Sequence, residues 1–381
     1  MQSQKPSLKK VFLITHEFYP TLRGISIFLQ EIAQCANRMG HEIVVWAPDN
    51  DDLSNTTFPY RVKPLDLKGT QSWLSRIKLG VELFRSRHKF NDAILYLAEP
   101  GPVRTMLYLQ LISVIKPKEL WITLYGSEIK KFTFLPYRKY LFKKLLDSAV
   151  RISVISQYNF LFLSQKFPDL KSKITISGGA LKSDYSPIKI QKKEKASGKI
   201  IVLTVGGIHP RKGQLILLSA INSLELGLKN IIEYQIVGPI IRKSYFKKLK
   251  LYAEKNKLKI KYLGVVDNKK LRDLYVNADI YAMTSIDYNN SVEGFGLTYL
   301  EASAHCLPII AHRVGGVEDA VKNNITGILV CPGDEGELTA AITLLAKDRK
   351  LREKLGKAGL EWAEKHKWEA CVDKIFGESY R

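Results

Sequence analysis

The sequence predicts an α/β protein of two domains, each built on a parallel sheet. Three observations carry this. Short continuous apolar runs, such as Val11-Phe12-Leu13-Ile14-Thr15 and Ile200-Ile201-Val202-Leu203-Thr204-Val205, have the texture of strands buried on both faces. Amphipathic stretches alternate with them, as crossover helices do between parallel strands. The alternation breaks once, from Asp184 to Lys199, where Ser186-Pro187 and Lys192-Lys193-Glu194-Lys195 read as a polar linker, and then restarts. A length of 381 residues suits two domains. The expected boundaries are 1–183, a linker at 184–199, a second domain at 200–360, and a last helix at 361–381 that crosses back to the first domain.

In the first domain, the strand at Val11–Thr15 leads through a loop, His16 to Gly24, into an amphipathic helix that ends at Met39-Gly40. Strand Glu42–Trp46 completes a βαβ unit. Helical periodicity then runs from Ser72 to about Lys89. Strand Ala93–Leu97, a helix after Gly101, strand Leu120–Leu124, a basic helical stretch and strands at Arg151–Ile155 and Lys173–Ile176 follow. In the second domain the order is strand Lys199–Val205, a helix from Gly213, strand Glu233–Val237, a helix, strand Ile260–Leu263, a helix, strand Ala278–Met283, and a helix over 297–305. Strands at Leu307–Ala311 and Gly327–Val330 and helices from Glu335 close the chain. Ligands of such sheets bind at the carboxyl ends of the strands.

Lys and Arg number 59 against 37 Asp and Glu, a formal net charge of +22, so a polyanion, an anionic membrane face or a phosphorylated substrate suits the surface. Cys35, Cys306, Cys331 and Cys371 are scattered without the close spacing of a zinc site and fit a reducing compartment. No signal-peptide core precedes the first strand, and no apolar run is long enough to span a bilayer. The expectation is a cytoplasmic protein, with peripheral attachment to the inner face of the plasma membrane open.

Chemistry concentrates between Ser291 and Ala304. There Glu293 and Glu301 bracket the turn Gly294-Phe295-Gly296, and Leu297 opens a helix. The first amides of a helix lack internal partners, so strand, glycine turn and helix form an anion site. Glycines admit a phosphate close to the backbone. Carboxylates beside that site repel phosphate and suit hydroxyls, so the stretch reads as a nucleotide-sugar site. The plainer reading is a common α/β turn with Glu301 on a solvated helix face. A second candidate, Gly206 through Pro210-Arg211-Lys212-Gly213, follows a buried strand; its plainer reading is a solvated lysine at a helix start.

Taken as an ordered set over about 200–360, these residues resemble the retaining glycosyltransferases of family four, with their E-x7-E motif at Glu293 and Glu301. Leu307-Pro308-Ile309-Ile310, Gly315-Gly316, Thr326-Gly327, Pro332-Gly333-Asp334, Tyr275, Ala278-Asp279 and Ser285 belong to the same set. The match is thinner before the linker: Pro20, Gly24, Gly40-His41-Glu42, Gly126-Ser127-Glu128 and Val154-Ile155-Ser156. The resemblance implies the GT-B fold, two facing Rossmann-like domains with a central interdomain cleft. It implies that Lys212 pairs with a donor diphosphate and that amides of Gly294, Phe295, Gly296 and Leu297 hold the distal phosphate. Glu301 would take ribose hydroxyls, Glu293 hydroxyls of the transferred sugar, and Gly24 would face the diphosphate from the first domain. Gly206 joins the donor set.

The chain departs from the family at three places. Arg23-Gly24 stands where two glycines are usual. Tyr125-Gly126 replaces a His-Gly pair. Gly207 replaces an arginine, and Arg211 is the nearby cation that can substitute. Glu293, Lys212 and Tyr125 are the catalytic candidates; His16, Arg23, Glu99 and Glu128 are acceptor-side candidates. Asp49-Asn50-Asp51 spells the D-x-D that holds a metal in other glycosyltransferases, but it sits with Pro48 and Asp52 in a loop of the wrong domain and reads as a turn. No metal or cofactor is expected.

The expected activity is hexosyl transfer from a UDP- or GDP-sugar to a cell-envelope, polysaccharide or lipid-linked acceptor. A catalytically silent GT-B subunit of a glycosylation complex, and a sugar epimerase or disaccharide synthase sharing the glutamate pair, are the alternatives. Two stretches, 76–89 and 130–146, mix cations with large apolar and aromatic side chains. They suit an anionic membrane surface as well as ordinary helices with solvated lysines. No nucleic-acid fold signature accompanies the charge, so no nucleic-acid partner is expected.

Overall fold

The computed structural model describes residues 9–21, 24–54, 56–67, 72–112, 114–183, 185 and 198–377. The chain divides into two compact units, Met1–Ser183 with Lys367–Arg381, and Asp184–His366.

The first unit holds strands β1 (Lys10–Ile14), β2 (Glu42–Pro48), β3 (Arg61–Leu65), β4 (Ile94–Leu97), β5 (Glu119–Leu124), β6 (Arg151–Val154) and β7 (Ile174–Ile176). They form one sheet in the order β3-β2-β1-β4-β5-β6-β7, and every neighbouring pair is parallel. Leu13 in β1 lies opposite Val45 on one side and Tyr96 on the other, all fully buried, as the apolar texture of these strands requires.

β3 departs from the sequence reading, which has no strand between Trp46 and Ser72. It sits at the sheet edge, is mostly half-exposed and carries Pro64, so it lacks the apolar run that marks its neighbours. The basic stretch at 130–146 is two helices, Ser127–Thr133 and Pro136–Ser148, with Pro136 in the first turn of the second. The Asp49-Asn50-Asp51 segment starts a short helix, Asp51–Ser54, and Asn50 Oδ1 accepts the Leu53 amide.

The last helix, Trp368–Phe376, belongs to this unit. The ring of Phe376 meets Tyr96, Trp121 and His41 at 5.2–5.8 Å, and Trp368 meets Phe28 at 5.4 Å. The change of unit falls at Lys367 rather than 361, because Trp362 Nε1 donates to Ala320 O and holds the preceding helix in the second unit. The linker expected at 184–199 lies, apart from residues 185, 198 and 199, outside the described residues.

The second unit holds β8 (Ile200–Val205), β9 (Ile232–Val237), β10 (Ile260–Gly264), β11 (Ile280–Met283), β12 (Ile309–His312) and β13 (Gly327–Val330), in the order β10-β9-β8-β11-β12-β13. All pairs are parallel. In both sheets the order reverses beside the first strand, between β1 and β4 and between β8 and β11. Loops diverge at such a switch point, and a crevice opens at the carboxyl ends of the two strands. The chemistry-bearing residues of each unit lie there.

Candidate functional site

In the second unit the loop after β8 makes one tight turn, Pro210–Lys212, in which His209 Nδ1 accepts the Arg211 amide at 3.1 Å. Gly213 closes it with φ +69°. A Cβ there would stand 1.8 Å from Thr284 O, so only glycine permits the approach. Thr284 Oγ1 donates to Gly213 O at 2.8 Å, and the Ile286 amide donates to Arg211 O at 2.8 Å. The loops after β8 and β11 are thus stitched together, and this joining directs Arg211 and Lys212 toward Glu293.

One carboxylate oxygen of Glu293 collects three donors: Lys212 Nζ at 2.7 Å, Arg211 Nη1 at 2.9 Å and Ser285 Oγ at 3.3 Å. Its backbone carbonyl accepts the Gly316 amide at 2.9 Å, and Gly315 packs so close that a Cβ would meet that carbonyl at 2.2 Å. Burial alone would push the Glu293 carboxyl up, but the two cations outweigh it and hold it at about 2. Burial also pulls Lys212 below the usual lysine range, with Arg211 adding to the effect and Glu293 opposing it. The site therefore carries two buried or half-buried cations against one anion.

Beyond Glu293, Gly296 has φ +90°, and a Cβ there would enter the Tyr299 ring. Helix Leu297–Ala304 follows with no side-chain cap on its N-terminus. Phe295 is buried and its ring faces His366, which anchors the turn. Tyr281 donates to Thr298 Oγ1, and Tyr299 to Met283 O, binding the helix to β11.

Glu301 is 5% exposed, not on a solvated face, and its Oε2 accepts the Tyr275 hydroxyl at 2.9 Å. Burial, and then the neighbouring Glu301 charge, push the Tyr275 phenol well above its ordinary range, so it remains a donor. His305 stacks on Tyr275 at 4.9 Å and donates from Nδ1 to Glu301 O at 2.7 Å. A positive pocket at a helix start, flanked by two buried carboxylates, can hold a phosphate next to hydroxyl-bearing groups.

Residues 186–362 match the family model described as glycosyl transferases group 1. Over that stretch, most of the second unit, the chain carries a group 1 glycosyltransferase domain. Among relatives of this transferase, the Arabidopsis thaliana sulfoquinovosyl transferase is 34% identical over 122 residues, which are 31% of this chain and 23% of that protein. The GDP-mannose-dependent alpha-(1-6)-phosphatidylinositol monomannoside mannosyltransferase of Mycobacterium tuberculosis is 22% identical over 97% of both chains. In fold, the transferase is similar to the Anabaena protein HepE, solved in complex with UDP and glucose, with a TM-score of 0.75, 16% identity, and 96% of this chain and 98% of that one covered. This likeness establishes the two parallel-sheet, Rossmann-like domains of the GT-B fold.

The transferase's first unit gathers its own candidates at the β1–β4 switch point. Glu99 Oε1 accepts the His16 amide at 2.9 Å and faces His16 Nδ1 at 3.1 Å, while Oε2 accepts the Gly101 amide at 2.7 Å. Both side chains are essentially unexposed, and His16 Nε2 has no partner among the described residues. Tyr125 donates its hydroxyl to Ala98 O at 3.1 Å and lays its ring edge-on to Phe28. Glu128 is buried and accepts the Tyr125 amide just ahead of helix Ser127–Thr133. Gly24 begins helix Gly24–Arg38 with open space where a Cβ would stand. Arg23 lies outside the described residues. The roles of Tyr275, His305 and Thr284 as supports of the glutamates and the lysine turn are absent from the sequence reading; Tyr275 stood in its motif set without a role.

Proposed function

We propose that this glycosyltransferase moves a hexose from a UDP- or GDP-sugar, with retention of anomeric configuration and without a metal, to a cell-envelope, polysaccharide or lipid-linked acceptor. The observation that carries the donor reading is the convergence of Lys212, Arg211 and Glu293 at the switch point beside an uncapped helix start. Departure of the nucleoside diphosphate breaks the bond from sugar C1 to phosphate oxygen and leaves negative charge on that oxygen. Lys212, Arg211 and the first amides of helix Leu297–Ala304 supply fixed positive potential there, which is the task a metal performs elsewhere. The acceptor oxygen bonds to C1 from the same face, and its proton passes to the leaving phosphate oxygen. Glu293 holds hydroxyls of the sugar, and Glu301, steadied by Tyr275, holds ribose hydroxyls. The mycobacterial relative is a GDP-mannose-dependent phosphatidylinositol monomannoside mannosyltransferase, which supports a lipid-linked substrate.

Attachment to an anionic membrane is part of this reading. Helices Trp73–Arg85, Pro100–Leu109 and Pro136–Ser148 pack side by side. The outer two turn apolar side chains to solvent: Trp73 is 63% exposed, Tyr140 65%, and Phe134, just ahead of the third helix, 80%. Burial, then neighbouring Arg76 and Arg138, pull Arg104 below the usual arginine range, a sign of crowded positive charge on this face. Aromatic and aliphatic side chains interleaved with arginines suit a headgroup layer. Some of the lysines are held in ion pairs, Lys78 by Asp66 and Lys143 by Asp147 and Asp169. No helix among the described residues is long and apolar enough to cross a membrane.

A thermal-shift series with UDP-, GDP- and ADP-sugars, followed by turnover of any that bind, tests the donor reading; no binding at millimolar concentration would sink it. Flotation of the purified chain with anionic but not neutral liposomes is the expected membrane result, and indifference to lipid charge removes that part.

A further inference from the structure

In the structure the two cations of the donor site face a carboxylate, and all of that carboxylate's donors meet a single oxygen. Glu293 Oε2 stands 2.7 Å from Lys212 Nζ and 2.9 Å from Arg211 Nη1, a geometry that a phosphate oxygen would adopt. Glu293 is 8% exposed, so the arrangement is not a loose surface pair. The turn carrying the cations is fixed by the stitching of Gly213 and Arg211 to Thr284 and Ile286, and the Glu293 backbone is braced by Gly315 and Gly316. With these backbones held, the carboxylate arm can still turn about its three side-chain torsions.

We infer that Glu293 is an internal counter-ion that imitates the donor's distal phosphate, and that a diphosphate must displace it from Lys212 and Arg211. The inference rests on the donor reading of this site. An incoming diphosphate takes both cations and leaves Glu293 a buried anion short of partners, which is costly. A sugar attached to that diphosphate offers hydroxyl donors to the displaced carboxylate. A bare nucleoside diphosphate has only its ribose hydroxyls, which Glu301 takes, and so leaves Glu293 without a donor. After transfer, Glu293 therefore returns to Lys212 and Arg211 and competes with the spent diphosphate. The same residue favours the loaded donor over the product and drives product out.

The test uses inorganic pyrophosphate, a probe with no base and no sugar, titrated calorimetrically into the full chain. Glu293→Gln keeps the size and a contact for Ser285 but removes the competing charge. It is expected to bind pyrophosphate about tenfold tighter or more than the wild type, the scale of one close charge pair. Pyrophosphate that binds the variant no more tightly, or not at all, overturns the inference. If Glu293→Gln melts early, Ser285→Ala loosens the same oxygen while leaving both cations. It is expected to tighten pyrophosphate by a smaller factor, about twofold to threefold, and unchanged or weaker affinity there overturns the inference as well. UDP-glucose and GDP-mannose titrated into the wild type form a separate arm. Failure of both rejects these donors while the pyrophosphate comparison still decides the counter-ion role.

Discussion

The two sheets share a topology and differ in what they put at the switch point. Between β8 and β11 two cations meet one carboxylate beside an uncapped helix start. Between β1 and β4 a histidine meets a carboxylate, and that carboxylate is already engaged with the amides of His16 and Gly101. The first arrangement has positive charge to offer a phosphate. In the second, the amides are answered from within the chain, and its neighbour Glu128 likewise turns its carboxylate to backbone. On the proposed reading, one crevice takes an anion, and the other takes hydroxyls or serves structure alone. The difference lies in a few loop residues, since the strands that present them are equally apolar and equally buried.

The comparison breaks most sharply at Lys212. Removing one preorganised donor to a developing charge costs about 3 kcal/mol, so Lys212→Ala is expected to lower kcat/KM by roughly 10²–10³-fold. Arg211→Ala, whose side chain is more open to solvent, is expected to lose about tenfold. Steady-state kinetics with the donor found by thermal shift would check both. If Lys212→Ala keeps wild-type turnover, positive charge at the second switch point has no part in the reaction.

The Glu293 pair also predicts a pH dependence of stability. Its carboxyl falls from an ordinary 4.5 to about 2 in the folded chain. A group whose folded value is depressed contributes stability above its unfolded value and loses it as pH falls toward the folded one. The window is therefore from about pH 4.5 down to about 2, and the full contribution is about 3 kcal/mol. Urea melts of wild type and Glu293→Gln across that window isolate it from the other carboxylates. The wild type is expected to lose stability more steeply on acidification, and parallel curves would mean that the pair is not formed in solution.

Much of this was legible before the structure. The strands with continuous apolar runs, the glycine turn and the pairing of Glu293 with Glu301 follow from local text. β3 was hidden because an edge strand with Pro64 needs only one partner and one covered face. The direction of Arg211 was hidden because it depends on the Ile286 amide, far along the chain. The same holds for His16 and Glu99, which are 83 residues apart and meet only because β1 and β4 are neighbours in the sheet. Local periodicity carries no information on such pairings. Tyr275 belongs to the family's motif set, but its bond to Glu301 emerges only when two helices, Asn268–Asn277 and Leu297–Ala304, are packed together.

Smaller effects separate the two carboxylates that anchor each crevice. Glu301→Ala removes the proposed ribose contact and leaves the buried Tyr275 hydroxyl without its acceptor. Nucleotide affinity is expected to fall by about 10- to 100-fold, with a lower Tm. Glu293→Ala is expected to lower turnover without weakening nucleotide affinity; equal loss of nucleotide affinity in both variants contradicts the division of labour. Glu99→Ala in the other unit also strips buried amides of their acceptor, at about 1–3 kcal/mol of stability. Its donor affinity is expected to stay within about twofold of wild type, because none of its contacts belongs to the cationic site. Calorimetric titration of the donor alongside thermal melts distinguishes the three.

The least effect on the donor is expected at His16. Its Nδ1 faces Glu99, and its Nε2 is buried without a partner among the described residues. Such an atom either waits for a hydroxyl or belongs to a packed imidazole with no chemical task. His16→Gln retains a polar side chain of similar reach and can still meet Glu99 through its amide. If the β1–β4 crevice receives the acceptor, the variant raises the acceptor KM by about tenfold, the scale of one hydrogen bond. Donor KM and Tm stay near wild type. If both KM values stay unchanged, the histidine is structural. If donor KM rises as it does for Lys212→Ala, the contrast between the two switch points fails, because the histidine–carboxylate site is then acting on the diphosphate.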